Sequence, residues 1–515
     1  MAPPPASLHE ESEAPERLDN PSKSFAEATL EPPSESNGLP NNPPRSKDGS
    51  IDYKAVQSPG EYEGAGILDA PESPTRSHKR SSSRSSRGSL NGAKVLKKKG
   101  AGSDEKVENI VYEKYEDGNG GQLTSVKPTD DYEKNLKTDE KEYKPIAAHG
   151  KKEKTSKGEQ ELELTSGRVA SAGWEQSGIR FAPLNVPFKR RLQTCAVLFH
   201  TLSMAITLGW FFWLCAIPFL WPLLIPYLLY VLLSKAPTSG ELSHRSEWLR
   251  RQKIWSLFAS YFPARLHRTT ELVPTRKYLF GYHPHGIISH GAFAAFSTEA
   301  LGFSQLFPGI KNTLLTLESN FRLPLYRDYV LRMGLASVSR ESCENILSKG
   351  GADGEGMGRA ITIVVGGARE SLETQPGTLR LILNTRKGFV KLAIRTGADL
   401  VPVLGFGEND IYDTIATAEH PWIHRGQLLF KKVMGFTVPL FHARGIFNYD
   451  VGIMPYRRPM NIVVGRPVEV VKMTKPTPEY IDELHGKYCA ELRLLWESWK
   501  DTFAKERIKE LEIIE

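Results

Sequence analysis

The sequence predicts an α/β fold, a mostly parallel sheet flanked by helices, preceded by an apolar membrane hairpin and a disordered amino-terminal region. Three observations carry this expectation. Short β-branched or aromatic runs alternate with helix-period segments after residue 235. Residues 192–234 contain no formal charge, and none of the nine Trp or four Cys of the 515-residue chain falls in its first 165 residues. The chain thus divides into an extension (1–165), a basic pre-membrane segment (166–191), the apolar segment (192–234) and an α/β domain (235–515).

The extension is rich in Pro, Ser, Lys, Glu and Gly, a composition that buries too little apolar surface to offset the entropy of ordering. Its opening, MAPPPASLHEESEAPER, has no apolar h-region, which argues against a cleaved secretory signal. Arg76 to Arg87 (RSHKRSSSRSSR), followed by Lys94 and Lys97 to Lys99, forms a basic serine cluster. It reads as a solvated tail or as an anionic-membrane patch neutralised by phosphorylation. A net charge of +7 is too mild to argue for a nucleic-acid partner. Four scattered Cys without a C-x-x-C pair exclude a disulfide-stapled scaffold and a structural zinc site, and favour a reducing compartment.

Leu192 to Ser234 is 43 residues long. As one helix it would run roughly 65 Å, about twice a bilayer core of ~30 Å, so it must fold back. Pro218, Pro222 and Pro226 interrupt its second half, which allows two short spans or a re-entrant wedge. Lys189, Arg190 and Arg191 precede it and Lys235, Arg245, Arg250 and Arg251 follow, placing both ends in the cytosol by the positive-inside bias. The lone sequon-like triplet, Asn20-Pro21-Ser22, is blocked by proline, in keeping with a cytosolic bulk.

In the α/β domain, strands are expected at Lys277 to Tyr282, Ile361 to Val365, Leu400 to Phe406 and Ile462 to Val464. Ser339 caps a helix over Glu341 to Ser348, Arg386 to Thr396 forms another ended by Gly397, and Pro478 to Leu511 forms a long terminal one. In the last, Ile481, Leu484, Tyr488, Leu492, Leu495, Trp499 and Phe503 recur at helical spacing, a core stripe. Gly354 to Gly358 precedes its strand, the wrong order for a dinucleotide turn, and reads as a loop.

Tyr282-His283-Pro284-His285-Gly286 stands where the first of these strands runs out. Two His at i and i+2 would share a face of an extended segment, Pro284 ends the ladder, and Gly286 permits a tight turn or close approach. A strand-end His suits a general base. Metal binding by His283, His285 and His290 is the rival, but no Asp or Glu follows nearby, so no metal is expected. No G-x-S-x-G elbow for a serine hydrolase occurs. Gly366-Gly367-Ala368-Arg369-Glu370 follows a second strand and could line a site with its amides, and Gly405-Phe406-Gly407-Glu408-Asn409 follows a third. Glu408 there could orient an imidazole or cap a helix. Lys387, Lys391 and Arg395, at i, i+4 and i+8, make one cationic stripe, a solvated face or an anion site.

Tyr261-Phe262-Pro263, YLFGYHPHG, VVGGARESL, RKGFVKLAIRTGADLVPVLGFGEND and NIVVGRPVEV closely resemble the type-two diacylglycerol O-acyltransferases over roughly residues 185 to 515. The resemblance implies a glycerolipid-acyltransferase-like fold and an endoplasmic-reticulum enzyme with access to lipid droplets. It would move an acyl group from acyl-CoA, a substrate and not a cofactor, to diacylglycerol, and could form a homo-oligomer. The resemblance also gives roles in activity to Tyr261, Phe262 and Pro263 and to His283, Pro284, His285 and Gly286. A departure is that the wider acyltransferase group resembles itself in a His-x4-Asp pair, whereas Ile288 and His290 stand at the two Asp positions here. A catalytic His285, or His283, would then need a remote partner, Glu408 or Glu370. Gly366, Gly367, Arg369 and Asn409 are expected around the substrate, with Lys387, Lys391 and Arg395 toward the phosphates of acyl-CoA. Monoacylglycerol or wax-alcohol acyltransferases, and a non-catalytic droplet wedge, are the alternatives.

Overall fold

The computed structural model describes residues 186–414, 440–449 and 451–514, with residues 95–96, 112–116 and 121–126, Phe181, and the isolated positions Trp422, Arg425 and Leu429. In chain order the strands are β1 Val95–Leu96, β2 Tyr112–Glu116, β3 Gln122–Val126, β4 Arg265–Arg268, β5 Lys277–His283, β6 Lys311–Thr316, β7 Ala336–Ser337 and β8 Arg359–Val364. They continue as β9 Arg380–Ile382, β10 Ala398–Phe406, β11 Asp413–Thr414, β12 Phe441–His442, β13 Asn461–Val464 and β14 Glu512–Ile514. The longer helices are α1 Phe188–Cys215, α2 Trp221–Leu233, α3 Lys253–Tyr261, α4 Tyr326–Arg332, α5 Arg340–Ser348, α6 Gly367–Glu373, α7 Gly388–Thr396 and α8 Pro478–Phe503.

Ten strands form one sheet in the order β1-β2-β3-β4-β13-β10-β5-β8-β6-β7. From β10 to β7 every pairing is parallel, as continuous apolar runs buried on both faces require. The antiparallel β13 then turns the sheet toward β4 and the amino-terminal strands. Alternation along β5 sends Tyr278, Phe280 and Tyr282 into a core with α3 and α1, and Leu279 into a second core with α5, α7 and α8. The expected strands are all present. Ser339 accepts a hydrogen bond from the Ser342 amide as N-cap of α5, and Gly397 closes α7 at φ +71°.

Two expectations are corrected. The extension is not wholly without structure, because β2 and β3 pair as a hairpin and β3 adds to the edge of β4. Leu123 is fully buried on one face and Val126 on the other. A composition averaged over the whole extension hides two five-residue strands. The local signal was Asp117-Gly118-Asn119-Gly120 between YEKYE and QLTSV, turn residues flanked by strand formers. The serine cluster lies outside the described residues. The terminal helix ends at Phe503, eight residues early, because Glu512–Ile514 leaves it to pair in parallel with β9.

The apolar segment forms α1, a short 3-10 turn at Pro218–Leu220, and α2. α1 is long and apolar enough to cross a membrane, by length and composition. Near its start Gln193 bonds Ser260 of α3 at 3.1 Å, and Phe199 meets the Tyr329 ring of α4 at 6.1 Å. From α2, Tyr227 donates to Asp328 of α4 at 2.6 Å, and Arg327 donates to Val231 O at 2.7 Å. Between these docking points Trp210, Phe212, Trp213, Phe219 and Leu223 are exposed.

Leu123→Ala should lower stability by about 2–5 kcal/mol, the usual cost of emptying a filled core site. Thermal unfolding in detergent checks this, and an unchanged Tm would show that β3 contributes nothing to the sheet.

Candidate active site

Because β10, β5 and β8 are adjacent and parallel, their carboxyl ends reach one edge of the sheet together. Three motifs far apart in sequence thereby meet. β5 supplies His283 to Gly286, β10 supplies Gly407-Glu408, and β8 supplies Gly366-Gly367 and Glu370.

β5 ends at His283, the His283–Pro284 peptide is cis, and Gly286 takes φ +59°. Because β5 ends at His283, the two motif imidazoles are not related by strand alternation, contrary to the shared face expected of them. His283 is fully buried, with Nε2 2.9 Å from the Tyr488 hydroxyl of α8. Burial, and then the neighbouring His485, push it down to about 3. His285 is partly accessible, and its Nδ1 lies 3.1 Å from Gly286 O. Burial lowers it from the ordinary value against the opposing pull of that carbonyl. His290 is fully buried with Nε2 2.9 Å from the Tyr412 hydroxyl, and Phe262 packs 5.1 Å from its ring.

Among the described residues neither candidate carboxylate is hydrogen-bonded to an imidazole. Glu370 accepts the amides of His285 (2.6 Å) and Ile382 (2.9 Å), fixing backbone rather than a ring. Glu408 accepts the Tyr282 hydroxyl at 2.7 Å and the Gly291 amide at 2.8 Å, so it serves the turn after the motif much as a cap serves a helix. Burial raises both carboxyls to about 7, and the donated hydrogen bonds only partly offset this. His283 Nδ1, His290 Nδ1 and Glu408 Oε1 are buried with no hydrogen-bond partner among the described residues. Such orphaned atoms are costly in a core and commoner where chemistry occurs.

The glycines of the region make room for these groups. A Cβ at Gly405 would lie 2.3 Å from the Tyr282 hydroxyl, and one at Gly286 2.8 Å from Glu408 Cγ. At Gly366 it would lie 2.1 Å from the Glu370 carboxylate, while Gly367 supplies the φ +62° turn. The close approach that Gly286 permits is thus by Glu408.

The other expected residues are dispersed. Tyr261 and Phe262 are fully buried, Tyr261 donating to Pro455 O at 2.6 Å beneath the Arg457 guanidinium, 4.1 Å from its ring centre. Arg457 in turn donates to Gln193 Oε1 of α1 at 2.5 Å. Pro263 follows with φ +24°. This motif therefore joins α1 to the core around His290. Asn409 donates to Thr378 O at 3.0 Å, and Arg369 is half-buried on α6. The cationic stripe is not uniform, since Lys387 pairs with Asp482 at 2.6 Å while Lys391 is exposed and Arg395 half-buried. Sequence reasoning missed Tyr282, Tyr412 and Tyr488 as site residues. Glycine inside buried strands, at Gly281 and Gly405, was the available signal of close approach.

No group of three or more His, Cys, Asp or Glu suited to a metal occurs among the described residues. A histidine-centred cluster at the carboxyl edge of a parallel sheet, carrying an apolar helix, defines an α/β enzyme working on a substrate within reach of apolar surface. The diacylglycerol acyltransferase family model matches residues 213–514. Diacylglycerol O-acyltransferase 2A of Umbelopsis ramanniana is 51% identical over 340 residues, covering 65% of this chain and 94% of that protein. Diacylglycerol O-acyltransferase 1 of Schizosaccharomyces pombe is 45% identical, covering 62% and 91%, and 2-acylglycerol O-acyltransferase 1 of Bos taurus 44%, covering 63% and 96%. No solved structure matches the chain. The chain belongs to the diacylglycerol acyltransferase family, and it is an acyltransferase.

The raised carboxyl of Glu408 gives a pH test. Its folded value lies above the ordinary 4.5, so the stability it contributes is complete below about pH 4.5 and is lost as pH rises through about 7. Glu408→Gln, which keeps an acceptor for Tyr282, should lose less stability than wild type between about pH 5 and about pH 8. Parallel Tm-against-pH curves for the two proteins would refute it.

Proposed function

We propose that the chain esterifies the free hydroxyl of diacylglycerol with the acyl group of acyl-CoA, with His285 as general base and no acyl-enzyme. The observation that carries this is the His285 tautomer. Gly286 O can only accept, so the contact at 3.1 Å puts the proton on Nδ1 and leaves Nε2 with its lone pair. Burial keeps the ring neutral near pH 7, and of His283, His285 and His290 this one has surface access. Nε2 takes the acceptor's hydroxyl proton as the oxygen attacks the thioester carbonyl. The C–S bond then breaks, and the proton passes to the departing CoA sulfur. Amides at Gly286 or Gly366-Gly367 are the candidates to hold the oxyanion. Burial pushes both the Cys343 and Cys489 thiols up, Cys489 to about 11, which argues against a thiolate nucleophile.

The names of the two fungal relatives support the diacylglycerol acceptor, and the 2-acylglycerol enzyme from Bos taurus keeps monoacylglycerol as the second reading. α1 and α2 dock on the neighbouring residues Tyr329 and Asp328 of one helix, so the segment between them doubles back with an apolar tip. This supports a bilayer hairpin with both of its ends on one side; the flanking Lys and Arg make that side the cytosol in this reading, and the family resemblance makes the membrane that of the endoplasmic reticulum and the lipid droplet. Of the stripe Lys387, Lys391 and Arg395, Lys391 is the exposed member, which supports it as the cation that meets the donor's phosphates.

Purified protein given labelled acyl-CoA with diacylglycerol, monoacylglycerol or fatty alcohol should esterify diacylglycerol fastest, and a preference for another acceptor would overturn that assignment. His285→Ala should lower kcat by about 10²-fold or more with membrane binding retained. Near-normal turnover in this variant beside a collapse in His283→Ala would reverse the two roles. Deleting residues 192–234 should release much of the protein from vesicles, and retention at the wild-type level would sink the hairpin as its main anchor.

A further inference from the structure

Tyr488 lies on the core stripe of α8, yet its hydroxyl reaches polar groups on β5. It is 3.1 Å from Gly281 O, to which it donates, and 2.9 Å from His283 Nε2. A hydroxyl has a single hydrogen. With that hydrogen on the carbonyl, the contact with His283 requires Nε2–H as donor and leaves Nδ1 unprotonated, buried and without a partner among the described residues. Burial holds the phenol well above its ordinary value, so it stays a donor at any working pH. The Phe389 ring packs against it at 5.0 Å and fixes its plane.

Gly281 belongs to the same arrangement. It lies between large residues, Leu279, Phe280, Tyr282 and His283, and a Cβ there would lie 2.0 Å from the Tyr488 oxygen. The glycine leaves the space that the hydroxyl fills. The chain is then held on both sides of Pro284: on one side Tyr488 holds the His283 ring, and on the other Glu370 holds the His285 amide at 2.6 Å.

We propose that Tyr488 is a positioning residue of the acyl-transfer site: its hydroxyl fixes the tautomer and plane of His283 and so places the adjoining His285 imidazole. The role of His285 as base, argued above, is the reading on which this rests. Nothing in it requires Tyr488 to touch substrate.

The test is a cycle of Tyr488→Phe, Gly281→Ala and the double variant, each assayed for kcat, KM and Tm. Tyr488→Phe should lower kcat about tenfold or more, the effect of one buried hydrogen bond, with KM for both substrates within about twofold. Gly281→Ala should lose both stability and activity to the collision. The double variant should regain part of the lost Tm, since the 2.0 Å collision is gone and approaches of 3.0 Å to the ring carbon and 3.3 Å to Val365 Cγ2 remain, but not kcat. Recovery of kcat together with Tm would show that Tyr488 only packs, and would overturn the proposal. The imidazole nitrogens of His283, read by NMR on ¹⁵N-histidine-labelled protein with His283→Gln for assignment, should report Nε2–H in wild type. Nδ1–H would overturn it whether or not the kinetic variants fold. A fully active His285→Ala would instead sink the base reading, and leaves the tautomer result standing on its own.

Discussion

Parallel pairing of β5 between β8 and β10 sets the register Tyr282–Val364 and Leu404–His283, and every group of the site takes its place from that register. Backbone hydrogen bonds do this, not attraction between the polar groups. The alternation of β5 then divides the polar pairs between faces, Tyr282 toward Glu408 and His283 toward Tyr488. Side chains this large and polar fit only where the backbone they approach lacks a Cβ. Gly281, Gly405 and Gly286 are therefore as much part of the site as the groups they accommodate.

The electrostatics of the site follow from burial. Desolvation lifts Glu370 and Glu408 to about 7, against the hydrogen bonds each accepts and, at Glu370, against the nearby Arg386 guanidinium. The same desolvation keeps His283, His285 and His290 uncharged. A desolvated site with neutral imidazoles at the carboxyl edge suits neutral acceptor alcohols. It also differs in kind from a His–Asp pair, because here the histidines are oriented by a carbonyl and by tyrosine hydroxyls.

The Tyr-Phe-Pro motif acquires a physical meaning from its neighbours. Tyr261 stacks under Arg457, Arg457 reaches Gln193 at the start of the apolar helix, and Phe262 packs on His290. His200 of α1 lies 5.7 Å from the same His290 ring. The apolar helix is thus joined by direct packing to the interior beside the site. A change at Tyr261 would be felt at both ends without contact to substrate.

The sequence by itself determined the strands of the parallel core, the caps at Ser339 and Gly397, the strand-exit position of the His-Pro-His-Gly motif, and the family, since each rests on local periodicity, turn residues or a contiguous motif. Glu408 and Glu370 were legible as candidates at strand ends, yet their partners were not. Tertiary structure alone decided that they hold Tyr282 and backbone amides, that Lys387 is tied to Asp482, and that Tyr488 reaches His283 across 205 positions of sequence. Tyr488 at helical spacing looks the same whether its ring ends in apolar contacts or its hydroxyl meets a notch in a strand. The turn of the β2–β3 hairpin was legible locally, but its place on the sheet was not, because the edge it joins is β4, more than a hundred residues later. Periodicity reports which face of an element is buried, whereas what that face meets depends on strand order, which is set by contacts distant in the chain.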